Sequence, residues 1–245
     1  MGSKADQRVA RLLSKVQGGG LLALCDAASL VAVSEMTVRR DIAGSQGRLA
    51  ILGGHVISIG EPDRPYALDH EQDTHRAAKI AACERALAMI EPDDTIFIDS
   101  GTTTIHLASR LPTDFNLTVV CFAMNVATVL ARMPSIRWIL TGGEFQNATT
   151  SFAGAHGPAM LRDVRLNKAF VSAGGVHSKL GVSCANFSEV GMKRAAIDNA
   201  ASNILVVDTS KIDKVKPAYF ASCAEFDVIV SERGPIVIHP NNQGV

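Results

Sequence analysis

From Thr95 onward the chain alternates short β-rich runs with amphipathic helical stretches, and this alternation constrains the fold more than any other feature. The runs cover 95–98, 117–121, 137–140, 168–171, 203–207 and 226–230. Helices are predicted over 103–110, 125–132 and 188–201. Another is predicted over 73–90, where Ala77, Ile80, Ala81, Leu87 and Ile90 recur at helical spacing before Glu91-Pro92-Asp93-Asp94 stops the pattern. Strands interleaved with helices predict an α/β domain whose mainly parallel sheet is covered on both faces. Such a sheet gathers its loops at the carboxyl ends of the strands, where α/β proteins bind ligands.

Those strand ends carry the chemistry. Asp99, Ser100, Gly101, Thr102, Thr103 and Thr104 directly follow the first run and open a helix. The glycine lets the backbone approach an anion, and free N–H groups with the threonine hydroxyls can wrap a phosphate. The spacing is neither a Walker loop nor a GxGxxG fingerprint. Asn125, Gly142 with Gly143, Gly174 with Gly175, and Asp208-Thr209-Ser210-Lys211 stand after later runs. Each alone reads as turn chemistry. Converging on one rim, they predict a small polar pocket for a phosphate, with Lys193 and Lys211 as cationic partners.

The first 59 residues follow another pattern. Val9, Leu12, Leu13 and Val16 mark a helix over 6–17 that Gly18-Gly19-Gly20 ends, and a second helix covers 24–32. Only a Val33-Ser34 corner separates it from a third, over 33–42. Ser34 is placed to cap that helix, and Glu35 suits the positive end of its dipole. Val38 and Ile42 point inward, leaving Thr37, Arg39 and Arg40 to face elsewhere. A bare Arg-Arg pair is ordinarily a solvated surface, but two short helices joined so tightly are the helix-turn-helix arrangement. The runs 48–52 and 55–59 around Gly53-Gly54 then form a hairpin, readable as a wing. Residues 60–72, with Pro62 and Pro65, read as a linker. The expected organisation is a winged helix-turn-helix over 1–59, that linker, and an α/β effector and oligomerisation domain over 73–245.

Charge supports the division. The whole chain balances 24 basic against 24 acidic side chains, which by itself argues against a nucleic-acid binder. Residues 1–57 nevertheless hold seven Lys/Arg against four acids and so carry +3, a basic head on a mildly acidic body. Five scattered cysteines without a CxxC pair read as reduced thiols, most of them buried, and suggest neither zinc nor disulfides. No signal peptide and no stretch near the ~20 apolar residues of a membrane span is seen, so a cytoplasmic protein with no membrane partner is expected. No catalytic or metal site and no cofactor is predicted.

With these motifs in view, the chain resembles the DeoR family of bacterial transcription repressors over nearly its whole length. Val33 to Ile42 match that family's recognition helix, Gly53-Gly54 its wing, Asp99 to Thr104 its effector loop and Asp208 to Lys211 its late strand end. Ala173 to His177, Gly181 to Phe187 and Gly142-Gly143-Glu144-Phe145 are similar in particular to the deoxyribonucleoside-responsive founding member. The resemblance implies a body folded like ribose-5-phosphate isomerase, a homo-oligomer, and a sugar-phosphate inducer that weakens repressor binding to double-stranded operator DNA. Deoxyribose 5-phosphate is the effector it points to. Ser100 stands where the founding member is expected to carry cysteine, which leaves another sugar phosphate open. DNA contacts are expected from Ser34, Thr37, Arg39, Arg40, Arg48 and His55. The competing class is a pentose-phosphate isomerase, for which Asp99 and Glu189 are the only attractive carboxylates.

Overall fold

The computed structural model describes residues 4–16, 21–45, 48–58 and 75–236. The predicted linker at 60–72 and the glycine run at 18–20 lie outside the described residues. In the head, α1 (Lys4–Val16), α2 (Leu24–Leu30) and α3 (Glu35–Ala43) pack on a small sheet of β1 (Leu22–Ala23), β2 (Leu49–Leu52) and β3 (His55–Ser58). The strand order is β1-β3-β2. Val9, Leu12, Val16, Leu24, Ala27, Val38, Ile42, Leu49 and Val56 form its core. The corner between α2 and α3 is tight because Ala32 adopts a left-handed φ of 53° and Val33 N donates back to Ala28 O at 3.1 Å. Ser34 caps α3 as its sequence suggests, accepting from Thr37 N at 3.3 Å. Gly53 and Gly54, both with positive φ, make the turn between β2 and β3.

The body begins with α4 (Arg76–Leu87) and is built on β4 (Thr95–Ile98), β5 (Thr118–Cys121), β6 (Arg137–Leu140), and, after the hairpin of β7 (Glu144–Gln146) and β8 (Ser151–Ala153), β9 (Leu166–Val171). The hairpin β10 (Gly175–His177) and β11 (Gly181–Cys184) precedes β12 (Ala200–Val206). Then come β13 (Ala218–Ala221), β14 (Val228–Ser231) and β15 (Gly234–Pro235). The main sheet runs β15-β14-β12-β9-β4-β5-β6, parallel throughout except for the short β15. Helices α5 (Thr104–Ala108), α6 (Met124–Leu130), α7 (His156–Arg162) and α8 (Val190–Asn199) complete the body.

Residues alternate across the strands, so the sheet buries two cores. Ile96, Ile98, Val119, Cys121, Phe170, Ile204 and Val206 face α4, α5 and α6 through Ala82, Cys83, Ala86, Leu107, Val126 and Leu130. Phe97, Val120, Ala169, Val171 and Leu205 face the other way, against Met192, Ala195 and Ala196 of α8 and against Val176, Val182 and Phe220 of the small antiparallel sheet β10-β11-β13. One expectation is corrected. The helix placed over 188–201 stops at Asn199, because Ala200 turns extended and already pairs with Leu166. Three features escaped the alternation: the β7–β8 hairpin, α7, and the small sheet, whose strands of three or four residues are too short to display a period.

Candidate anion cavity and nucleic-acid interface

Chain order places β4 first, sends β5 and β6 to one side, and returns β9 to the other side of β4. The connections therefore diverge above the carboxyl ends of β4 and β9, which opens a crevice at that point. Two loops line it: Ser100 to Thr103 after β4, and Ser172, Ala173 and Gly174 after β9. Its remaining wall is Cys184, Ala185 and Asn186 at the end of β11, Glu189 and Lys193 at and within the start of α8, and Lys211 and Lys216 before β13. The cavity measures about 80 Å³, suited to a small polar molecule.

The loop after β4 is held from behind. Asp99 is fully buried, and its Oδ2 accepts from Ser172 N at 2.8 Å, Ser172 Oγ at 2.5 Å and Lys193 Nζ at 2.5 Å. Lys193 also donates to Ser172 O at 3.1 Å and lies over the Phe220 ring. One buried ion pair thus ties the two cavity loops to α8. A side chain at 101 would place its Cβ 2.0 Å from Ser172 Oγ, so glycine is required for this approach. Thr104 Oγ1 lies 2.7 Å from the Asp99 carbonyl and 2.9 Å from that of Gly101, closing the loop. Lys79, fully buried in α4, donates from Nζ to Thr102 Oγ1 at 3.0 Å and so holds the loop from directly behind.

The opposite side of the cavity is polar and partly unmatched. Ser100 Oγ donates to Glu189 Oε1 at 3.1 Å. Burial pushes the Glu189 carboxyl up from its ordinary range; Lys193 pulls against that and Asp99 adds to it. Burial opposes the Lys193 ammonium, but the charges of Asp99 and Glu189 outweigh it and raise its pKa. The buried Asn186 amide nitrogen has no hydrogen-bond partner among the described residues. A donor left unmatched in a cavity wall is a place for an oxygen of a bound molecule.

Of the residues expected at the pocket, Ser100, Gly101, Thr102, Thr103, Gly174, Lys193 and Lys211 line it together. Asp99 and Thr104 support it from behind, and Asn125 Nδ2 donates to Ser100 O at 3.0 Å. Gly142, Gly143 and Gly175 do not line it. Gly143 packs against the carbonyl of Ala153, and Gly175 against the backbone of Lys214. Sequence reasoning missed Lys79, Ser172, Asn186 and Lys216. For Lys79 a signal existed: it joins Ala82, Cys83 and Ala86 on the buried stripe of α4, where a lysine needs a partner.

In the head, Arg39 and Arg40 are exposed on α3, while Arg8 of α1 grips Asp41 through two bonds of 2.6 and 2.9 Å and fixes that helix. The Ser34 and Thr37 hydroxyls lie 3.0 Å apart and engage each other. Arg48 folds back to donate from Nε to Ser45 O at 3.0 Å, and His55 Nδ1 lies 3.0 Å from the carbonyl of Gly53 in its own turn. Among the described residues no helix is long and apolar enough to cross a membrane.

Comparison with known proteins places these features in a lineage. Residues 74–233 match the family model of the DeoR C-terminal sensor domain. The deoxyribose operon repressor of Escherichia coli K12 is 34% identical over 240 residues, covering 96% of this chain and 93% of that protein. The HTH-type transcriptional regulator IolR of Bacillus subtilis is 28% identical over 228 residues, covering 92% and 90%. Among solved structures, eIF2B beta from Chaetomium thermophilum superposes with a TM-score of 0.51 at 13% identity, covering 96% of this chain and 66% of that one. At that identity the likeness concerns the fold alone.

Proposed function

This chain belongs to the DeoR family of transcriptional repressors, and from that premise we propose that its body is a sugar-phosphate receptor that controls operator binding by a winged helix-turn-helix head. The observation that carries the reading is the Gly101 loop at the crevice between β4 and β9. Its backbone and threonine hydroxyls, backed by Lys79 and faced by Lys211 and Lys216, suit a phosphate dianion. Glu189 and the unmatched Asn186 amide suit the sugar hydroxyls at the far side.

Deoxyribose 5-phosphate is the proposed effector, in keeping with 34% identity to a deoxyribose operon repressor. It acts as an inducer, binding the DNA-free state more tightly and so shifting the population away from operator. The repressor is cytoplasmic and works as a homo-oligomer, which sets two heads over repeated half-sites and raises avidity. A different sugar phosphate is the second reading. The Ser100–Glu189 hydrogen bond supports it, because it joins the phosphate loop to the far side of the cavity, so that the side chain at 100 bears on which sugar fits.

Catalysis is outside the proposal. An isomerase needs a carboxylate free to take a proton from the sugar; Asp99 is bound by Lys193 and Ser172, and Glu189, which accepts from Ser100, is the carboxylate that a turnover assay tests. The test compares deoxyribose 5-phosphate, ribose 5-phosphate and unphosphorylated deoxyribose by thermal shift and by release of operator DNA. Stabilisation and release by a phosphorylated sugar alone support the reading. If no sugar phosphate changes either quantity the receptor assignment fails, and turnover of ribose 5-phosphate would overturn the non-enzymatic role.

A further inference from the structure

The outward direction of α3 is set by its buried side. Val38, Asp41 and Ile42 are buried, so at about 100° per residue the opposite arc holds Met36, Arg39, Arg40 and Ala43. All four are exposed. Thr37 lies to the flank, half-buried, with its hydroxyl against that of Ser34. The side chain that leads this arc at the N-terminal turn is therefore Met36. It is 67% exposed; Leu52, at 38%, is the other exposed large apolar side chain among the described head residues.

A methionine standing between two exposed arginines has one chemistry to offer. Its thioether is at best a weak hydrogen-bond acceptor, so it cannot read the donors of a base edge, but its flexible apolar end adapts to an apolar feature. The apolar feature of the major groove is the C5-methyl group of thymine. In helix-turn-helix proteins the N-terminal residues of the second helix reach the base edges. Charge complementarity supplies the setting: Arg39 and Arg40 on the same arc meet phosphates or guanine edges and carry Met36 into the groove.

We infer that Met36 is a specificity-determining residue that reads a thymine methyl group in the operator. This rests on the reading of α3 as the DNA-contacting helix. In that role Met36 contributes little affinity for arbitrary sequence and a preference for thymine over cytosine or uracil at one position of each half-site.

The experiment needs no prior operator sequence. The full-length protein selects tight duplexes from a random pool, and each thymine of a selected duplex is replaced singly by deoxyuridine, which removes only the methyl group. Dissociation constants are measured at fixed salt for the wild type and for Met36→Ala and Met36→Gln. One position is expected where loss of the methyl group weakens wild-type binding by about fourfold, as for one buried methyl-sized group. At that position both variants show no change, while other positions respond alike in all three proteins. Equal response of wild type and variants at every thymine overturns the assignment of Met36. Failure to select any duplex overturns the DNA-reader role itself, and the assignment with it.

Discussion

Arg39 and Arg40 stand in solvent on the outer face of α3, whereas Lys79 and Lys193 in the body are 0% and 2% exposed and reach their partners inside the fold. The two arrangements serve different tasks. A hydrated arginine stays available to a large polyanion that arrives from outside, and its removal leaves the core beneath it intact. A buried lysine is tolerated only with partners, and Lys193 uses its own to lock the loops after β4 and β9 into one geometry before any ligand arrives. Function and stability should therefore separate in the head and stay entangled in the body.

The strongest way to break that contrast is the double replacement of Arg39 and Arg40 by alanine. Each arginine–guanine contact is worth about 1–3 kcal/mol, so operator affinity should fall roughly a hundredfold or more. Stability should stay within about 0.5 kcal/mol of wild type, as for other surface replacements. Anisotropy titration beside thermal melting checks both halves. Retained specific binding would remove α3 from the interface, and a large fall in melting temperature would deny the separation.

Lys193→Met should do the reverse. It strands the Asp99 carboxylate in the core, and breaking a buried pair in this way costs about 3–5 kcal/mol. The body's melting point should drop by roughly 10 °C. A variant that melts like the wild type would show that the pair does not organise the site.

Gly101→Ala tests the loop with a single methyl group. The new Cβ would meet Ser172 Oγ at 2.0 Å and Ser172 Cβ at 2.6 Å, so Ser172 or the loop must shift. Overpacking of this kind costs about 1–3 kcal/mol. The expected phenotype is a repressor that binds operator like the wild type and no longer releases it with sugar phosphate. Normal release would place the phosphate elsewhere.

How far the sequence discloses these features depends on whether they leave a period. The parallel sheet does: each core strand falls within a few residues of its apolar run, because a strand buried on both faces must be apolar throughout. The cap at Ser34 and the loop after Ile98 are also legible, since both lie next to the element they terminate or open. The far wall of the cavity is not. Asn186, Glu189 and Lys216 lie 85 or more positions from Gly101 and meet it only because α8 and the small sheet fold over one end of the strands. The same folding explains the misplacement of Gly142 and Gly143. They do follow a strand, but β6 is the edge of the sheet, two strands from the crevice.

Glu189→Gln gives the smallest and most diagnostic effect. Burial raises the Glu189 carboxyl above its ordinary value of 4.5, with Lys193 opposing and Asp99 assisting the rise. A group whose pKa is higher in the folded than in the unfolded chain contributes stability that is complete below the unfolded value and is lost as pH climbs through the folded one. Glutamine keeps the shape and has no proton to lose. The melting temperature of the variant minus that of the wild type should therefore be lowest near pH 4.5 and increase toward pH 8, by about 2–4 °C for each kcal/mol involved. A difference that stays flat across this range would mean that Glu189 ionises as easily inside the fold as outside it. The cavity would then hold a full second carboxylate beside Asp99, a poor receptor for a phosphate dianion.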